Sequence, residues 1–523
     1  MDEFVDFLID DGVLIEYTGE GGDVVIPDSV EVIGSNAFFC RSDVTGITIP
    51  DSVTAIEERA FCGCRGLRRI TVPDSVDELG VSAFEDCGNL EAAVLSASLI
   101  CIDDGVFRDC RRLREIVIPD GVKYINYGAF SHCEALRRVV IPVSVTVIGQ
   151  YAFYECESLE RVELPDSVER IRPSAFANCG SLKEISVGER NTVYKAVDGV
   201  LYSIAAKSLI VYPAGKEDEG FTVPEFVTSI ENHAFSGSTK LISVVIPDTV
   251  TDVGERAFFG CKALKDAVIS KSVTRIESDT FARCVSLTQV EIPDTVTVIR
   301  ESAFEGCSAL ARVTLPCGLG VIDETVFSNC TSLVEVDIPD SVYSIKEMAF
   351  ENCTALRRIV IGENIKSVAD LAFECCSALR IVVDAGPNTW IGDGAFCGVD
   401  SVEFPNKFFG KWNDGMLYDG VERPRFIYVR DCNGLDGDLC PSAVRGALDL
   451  WEKGKLGDVD IARWSDIIRV DADMLFSKLL NYVPLYEFVV ANGTLDQTYV
   501  EKILEKTDSY ECRAVLLRYL HGN

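Results

Sequence analysis

Phenylalanine recurs along this chain at a fixed interval. It stands at Phe38, Phe61, Phe84, Phe107, Phe130, Phe153 and Phe176, then at Phe235, Phe258, Phe281, Phe304, Phe327, Phe350, Phe373 and Phe396. Every step within each series is 23 residues, and 59 residues separate the two series. Three residues after the anchor, 12 of the 15 units carry Cys, as at Cys64, Cys156 and Cys330. Six residues after it, 13 carry Leu, with Val44 and Val402 in the remaining two. Self-similarity at such a period marks a solenoid of stacked units.

Each unit reads Leu-x-x-(Ile/Val)-x-(Ile/Val)-Pro, then Asp-Ser-Val-x-x-Ile, then Ala-Phe-x-x-Cys. The apolar spacing of Leu136, Val139 and Ile141 predicts a short strand with one face inward. Pro142 and Pro165 end their strands, because proline cannot donate to a ladder. The Asp-Ser pair suits a turn, where short polar side chains bond the local backbone. Val-x-x-Ile and Ala-Phe then return the chain along the opposite wall. One unit alone leaves both apolar faces open, so only stacking makes folding favourable.

The text Ile118-Pro-Asp-Gly-Val122, Ile125, Gly128-Ala-Phe130, Cys133 and Leu136 resembles the BspA-like branch of the leucine-rich repeat family, over roughly residues 24–400. The resemblance implies a binding or adhesion surface and names no ligand. The expected class is α+β: a leucine-rich-repeat-type solenoid of stacked short β-strands with a small α-helical C-terminal domain.

Four segments are expected. Residues 1–23 form an N-terminal hairpin cap, since Asp11-Gly12 between apolar residues signals a tight turn. Residues 24–404 form the solenoid, with an enlarged hairpin repeat at about 184–223 that accounts for the 59-residue gap. Its extra strands fall at Val193–Val197, Val200–Tyr202 and Leu209–Tyr212. That insert is either a recognition protrusion or a splice between two blocks. Asp-Gly-x-Leu returns at Asp198 and at Asp414, the last beside a degenerate terminal repeat or linker, 405–440.

Residues 441–523 read as a helical cap or docking module. Ser442–Glu452 and Ile461–Leu480 are candidate helices, and Thr494-Leu-Asp-Gln497 is a capping-box signature. Val500, Ile503 and Leu504 share one helical face, as do Cys512, Val515, Leu516 and Tyr519.

A net charge of −34 disfavours nucleic acid and anionic membrane as partners, since both reward positive surface. No run of about 18 apolar residues offers a membrane span. Twelve of the 21 cysteines occupy one repeat column and read as small buried hydrophobes. The metal alternative, Cys62 with Cys64 or Cys375 with Cys376, lacks a His cluster or paired Cys-x-x-Cys set to complete a tetrahedral site. So many unpaired thiols suit a reducing compartment. The acidic start Met1-Asp-Glu-Phe-Val-Asp lacks the basic, then apolar, character of a signal peptide. Cytoplasmic residence is therefore the expectation, with the cell surface or secretion as the alternative.

No catalytic constellation is visible, so an enzyme is not expected, nor a cofactor. A hydrolase in the tail would need a cleft with a perturbed acid or Cys, and nothing supplies one. His132 and His233 read as half-buried wall residues, and Ser and Asp recur as structural turns. One pattern rises above background, at the two positions seven and eight residues beyond each Phe. They carry Arg68, Arg69, Arg114, Arg137, Arg138, Arg161, Lys183, Lys265, Arg312, Arg357, Arg358 and Arg380, against six acidic residues. The whole chain runs 49 basic to 83 acidic, so the reversal is local. Two positions further on, Thr71, Val94, Val117, Val140, Val245, Val268 and Val360 form an outward β-branched column. An arginine-bordered apolar strip suits an acidic protein or a glycan. Alternatively, the arginines only neutralise acids on neighbouring rungs. The expected function is a non-enzymatic protein-interaction scaffold. The second reading is an adhesin for host or matrix protein or glycan.

Overall fold

The period-two pattern of each repeat becomes a short strand with one residue in and two out. In Arg138–Val140, Val139 is buried while Arg138 and Val140 face solvent. Parallel pairing keeps equal positions in line: Glu115 faces Arg138, Ile116 faces Val139 and Val117 faces Val140. On the opposite wall, two-residue strands do the same, Tyr124–Ile125 pairing with Val147–Ile148 and that pair with Arg170–Ile171. The Pro-x-Ser-Val segment closes a turn, Val145 N–H donating to Pro142 O at 3.0 Å. Its serine reaches one rung back, Ser144 Oγ to Val122 O at 2.7 Å and Ser167 Oγ to Val145 O at 2.7 Å. Those hydroxyls are rung staples rather than nucleophiles.

A computed structural model of the protein describes residues 6–383, 389–403, 411–412, 483–492, 497–507 and 509–520. They belong to two compact units, Met1–Val296 with Ala303–Ser308 and Thr297–Ser302 with Ala309–Asn523. The fold is a β-solenoid of stacked strands with three short described helices near the C-terminus.

In the first unit the anchor rings stack face to face. Phe84, Phe107, Phe130, Phe153 and Phe176 follow one another at 5.3–5.6 Å, within 9° of parallel. The N–H groups of Phe84, Phe107, Phe130 and Phe153 donate to the next rung, Phe130 to Ala152 O at 2.8 Å for example. The Cys column has a role of its own. Cys133 Sγ donates to Phe107 O at 3.2 Å, and Cys156 Sγ to Phe130 O at 3.2 Å, one rung back each time. A buried carbonyl needs a partner, and a small apolar thiol supplies one without adding polar bulk. The turn around each Phe is held by left-handed residues two before and two after it, as at Tyr151 (φ 57°) and Glu155 (φ 58°).

The enlarged repeat hides a further rung. Tyr212 lies 23 residues before Phe235 and stacks on it at 5.0 Å. Its N–H donates to Ala234 O at 2.7 Å, as an anchor Phe would. Tyr17 does the same on Phe38, at 5.0 Å between rings. Two hairpins precede these tyrosines. Phe7–Asp10 pairs with Val13–Tyr17 through Asp11-Gly12, and Tyr194–Val197 with Val200–Ser203 through Asp198-Gly199. Both central residues have positive φ in each, 46° and 78°, then 49° and 77°, the geometry of a tight two-residue hairpin turn. A third strand, Ser208–Val211, runs into Tyr212.

The second unit repeats the scheme, with Phe327, Phe350 and Phe373 stacked at 5.4 and 5.1 Å. Its helices are α1 (Val483–Ala491), α2 (Gln497–Lys506) and α3 (Tyr510–Leu520), α1 and α2 both packing on α3. Leu485, Phe488, Val500, Ile503, Cys512 and Leu516 are buried among them. The expected helices Ser442–Glu452 and Ile461–Leu480, the Asp414 copy and Thr494 of the capping box lie outside the described residues. So does most of 405–440.

Candidate binding surface on the strand face

Outward positions on parallel strands become ladders, and their chemistry is set by what each rung carries. In the first unit one ladder runs Arg69, Ala92, Glu115, Arg138, Arg161, Glu184. Beside it stand the exposed Arg68, Arg114 and Arg137. The β-branched column also faces water: Val94, Val117 and Val140 are 59%, 71% and 51% exposed, and Val245 and Val268 are exposed as well. Glu163 and Glu291 interrupt that column at Val162 and Val290 strands.

In the second unit the ladder reads Arg312, Glu335, Arg358, Arg380. Arg380 sits seven residues beyond its Phe but pairs with Arg358, which sits eight beyond; the rung is one residue short before the strand. A depression of about 380 Å³ lies on this face, lined by Arg312, Arg357, Arg358, Val360, Glu335 and Asp337.

Ion pairing separates the basic residues of the strip into two groups. Arg161 meets Glu184 at 3.1 Å, Arg312 meets Glu335 at 3.9 Å, Arg380 meets Asp400 at 3.1 Å and Lys183 meets Glu217 at 4.0 Å. Among the described residues, Arg68, Arg69, Arg114, Arg137, Arg138, Arg357 and Arg358 have no acidic partner within 4.0 Å. Neutralisation therefore accounts for part of the strip only. Arg138 and Arg161 are direct cross-strand neighbours, an arrangement of like charges that costs stability rather than adding it.

The other singled-out residues lie elsewhere. His132 is half-buried with Nδ1 2.9 Å from Glu155 Oε2. His233 is buried, its Nδ1 2.9 Å from Ser174 Oγ, and burial, with the Arg256 charge second, pulls its pKa down to about 4. Burial pushes the column thiols up, Cys64 to about 12 and Cys87, Cys110, Cys133 and Cys156 well above the ordinary range. Thiols so shielded resist oxidation in either kind of compartment, so they do not indicate a reducing one. Among the described residues no group of three or more His, Cys, Asp or Glu side chains converges as a metal site, and no helix is long and apolar enough to cross a membrane. Outside the repeat columns lies the turn edge, where Tyr127, Tyr151 and Tyr154 crowd with both histidines. Three tyrosines in two successive turns were the available signal.

A family model for the BspA type leucine rich repeat region matches residues 17–137, 101–204, 215–334 and 321–409. The chain belongs to this family. A leucine rich cell surface protein from Faecalibacterium prausnitzii is 35% identical, with 63% of this chain and 92% of that one covered and a TM-score of 0.59. A leucine-rich repeat protein from Bacteroides ovatus is 28% identical over 72% of this BspA-type chain and 99% of its own, with a TM-score of 0.45. The pneumococcal vaccine antigen PcpA is 21% identical over 72% and 90%, with a TM-score of 0.47. No curated protein matches. The family and these neighbours are repeat proteins rather than enzymes.

Proposed function

We propose that this BspA-type protein is a non-enzymatic interaction scaffold whose strand face binds a protein partner presenting acidic groups around an apolar patch. The observation that carries the reading is the row Arg68, Arg69, Arg114, Arg137 and Arg138, unpaired within the fold, beside exposed Val94, Val117 and Val140. Exposed guanidiniums present planar forks suited to carboxylates, and contiguous exposed apolar side chains mark contact surfaces. In a chain of net charge −34, a face with this local reversal selects its partner by charge complementarity.

The setting proposed is the cell surface, as an adhesin for host or matrix protein or glycan. Support comes from the Faecalibacterium relative, described as a cell surface protein. The cytoplasmic expectation finds no support there. The test compares wild type with Arg137→Glu/Arg138→Glu in pull-downs from the source organism and its surroundings. The double variant should lose the partner, and the wild-type complex should weaken as salt rises. A partner held equally by both proteins would sink the strip.

A further inference from the structure

The turn edge of the first unit carries a site of different chemistry. Tyr212 is an anchor without the flanking left-handed residues of a full rung, so the turns around Phe176 and Phe235 meet across it. Ser174 Oγ lies 2.9 Å from His233 Nδ1, and Ser236 Oγ donates to Asn178 Oδ1 at 2.6 Å. This contact brings His233 and Arg256 beside Tyr151 and Tyr154, residues about a hundred positions earlier. Together with Arg108, Tyr127 and His132 they line a pocket of about 330 Å³.

Three features of its walls point the same way. The rings stand at right angles to one another: Tyr127 to Tyr151 at 89°, Tyr151 to Tyr154 at 78°, Tyr151 to His233 at 88°. Arg108 Cζ lies over the Tyr127 ring, 5.6 Å from its centroid, which sets a guanidinium against an aromatic face in the wall. Two guanidiniums are among the lining residues and no carboxylate is, although Glu155 touches the lining His132, 2.9 Å from its Nδ1. Each guanidinium is pinned by one side only, Arg256 Nε to Asp279 at 3.1 Å and Arg108 Nη1 to Glu85 at 3.4 Å. Among the described residues the Nη groups of Arg256 and Nη2 of Arg108 have no hydrogen-bond partner, so pre-organised donors remain. Room for Arg108 is left by Gly128, whose added Cβ would stand 3.0 Å from Arg108 Nη2.

We propose that this pocket binds a pyranose residue bearing a carboxylate, a uronate-type sugar. The apolar C–H face of a pyranose packs on tyrosine, while its carboxylate takes the open edge of a guanidinium. A quaternary ammonium, the other common guest of an aromatic cage, is excluded by the two arginines. A bare inorganic anion would leave the tyrosine faces unused. Volume fits the small end of ligand sites, enough for a sugar and too little for a folded peptide segment.

The site is independent of the strand-face strip, and so is its test. Full-length protein is titrated calorimetrically with the methyl glycosides of glucuronate and galacturonate, with methyl glucoside and with sodium acetate. At least one uronide should saturate the protein, with glucoside and acetate weaker by about tenfold or more. Arg256→Gln and Tyr127→Ala should each cost about tenfold or more, with melting curves confirming that both fold. Arg137→Glu/Arg138→Glu should bind like wild type. The proposal is overturned if neither uronide saturates, if acetate binds as well as they do, or if both pocket variants bind unchanged.

Discussion

The strand face and the turn edge of the first unit hang on the same stack of phenylalanines but are built differently. On the strand face, neighbours are 23 residues apart, so Glu115, Arg138 and Arg161 line up by simple counting. On the turn edge, Ser174 meets His233 across 59 residues, because the enlarged repeat is bridged there. The first kind of surface is written in columns. The second depends on how an insertion is accommodated, and only three dimensions reveal it.

The largest effect should come from what both surfaces share. Phe130→Ala removes a fully buried ring between Phe107 and Phe153 and leaves a cavity that stacked neighbours cannot fill. It should cost about 3–5 kcal/mol in denaturant unfolding. Partner capture and sugar binding should both fall. If either surface survived untouched, the two would not rest on a common core.

Next comes the turn edge alone. The folded His233 has a pKa near 4 against an ordinary 6.5. Between these values the unfolded chain takes up a proton that the folded protein refuses, so stability falls as pH falls through this window. Above pH 6.5 the contribution is constant, and below 4 it is fully lost. The loss attributable to this residue is at most about 3 kcal/mol. Subtracting the stability–pH curve of His233→Gln from that of wild type should isolate the slope. A flat difference curve would mean that the ring is hydrated or already charged.

The Cys column ranks third, and it shows where the sequence was readable. Repetition alone revealed that Cys64, Cys87 and their successors are structural, because twelve equal positions cannot all be catalytic. It did not reveal that each thiol caps the Phe carbonyl one rung back, as Cys133 does Phe107. Tyr212 stands outside the Phe count for a related reason: stacking accepts any flat ring. The pocket was missed because His233 and Arg256 become neighbours of Tyr151 only through the bridged insert. Cys133→Ala should cost about 1 kcal/mol by removing that cap. In native protein, alkylation should reach the exposed Cys40 and Cys317 and spare Cys87, Cys110, Cys133 and Cys156. Rapid labelling of those buried thiols would show that the stack breathes and would restore the compartment argument.

The smallest effect on stability is the most telling for function. Arg138 lies opposite Arg161 on one side and Glu115 on the other, and it touches no acid within 4.0 Å. If strip arginines exist to neutralise the acidic fold, Arg138→Gln should destabilise it. If they face a partner, the substitution removes a repulsion with Arg161 and a weak attraction to Glu115, which nearly cancel. Unfolding free energy should then stay within about 0.5 kcal/mol of wild type. Partner binding should weaken nonetheless, and more steeply at low salt, where an exposed charge acts over a longer range. A variant that melts earlier but binds equally well would assign the strip to the fold and leave the turn edge as the recognition surface of this unit.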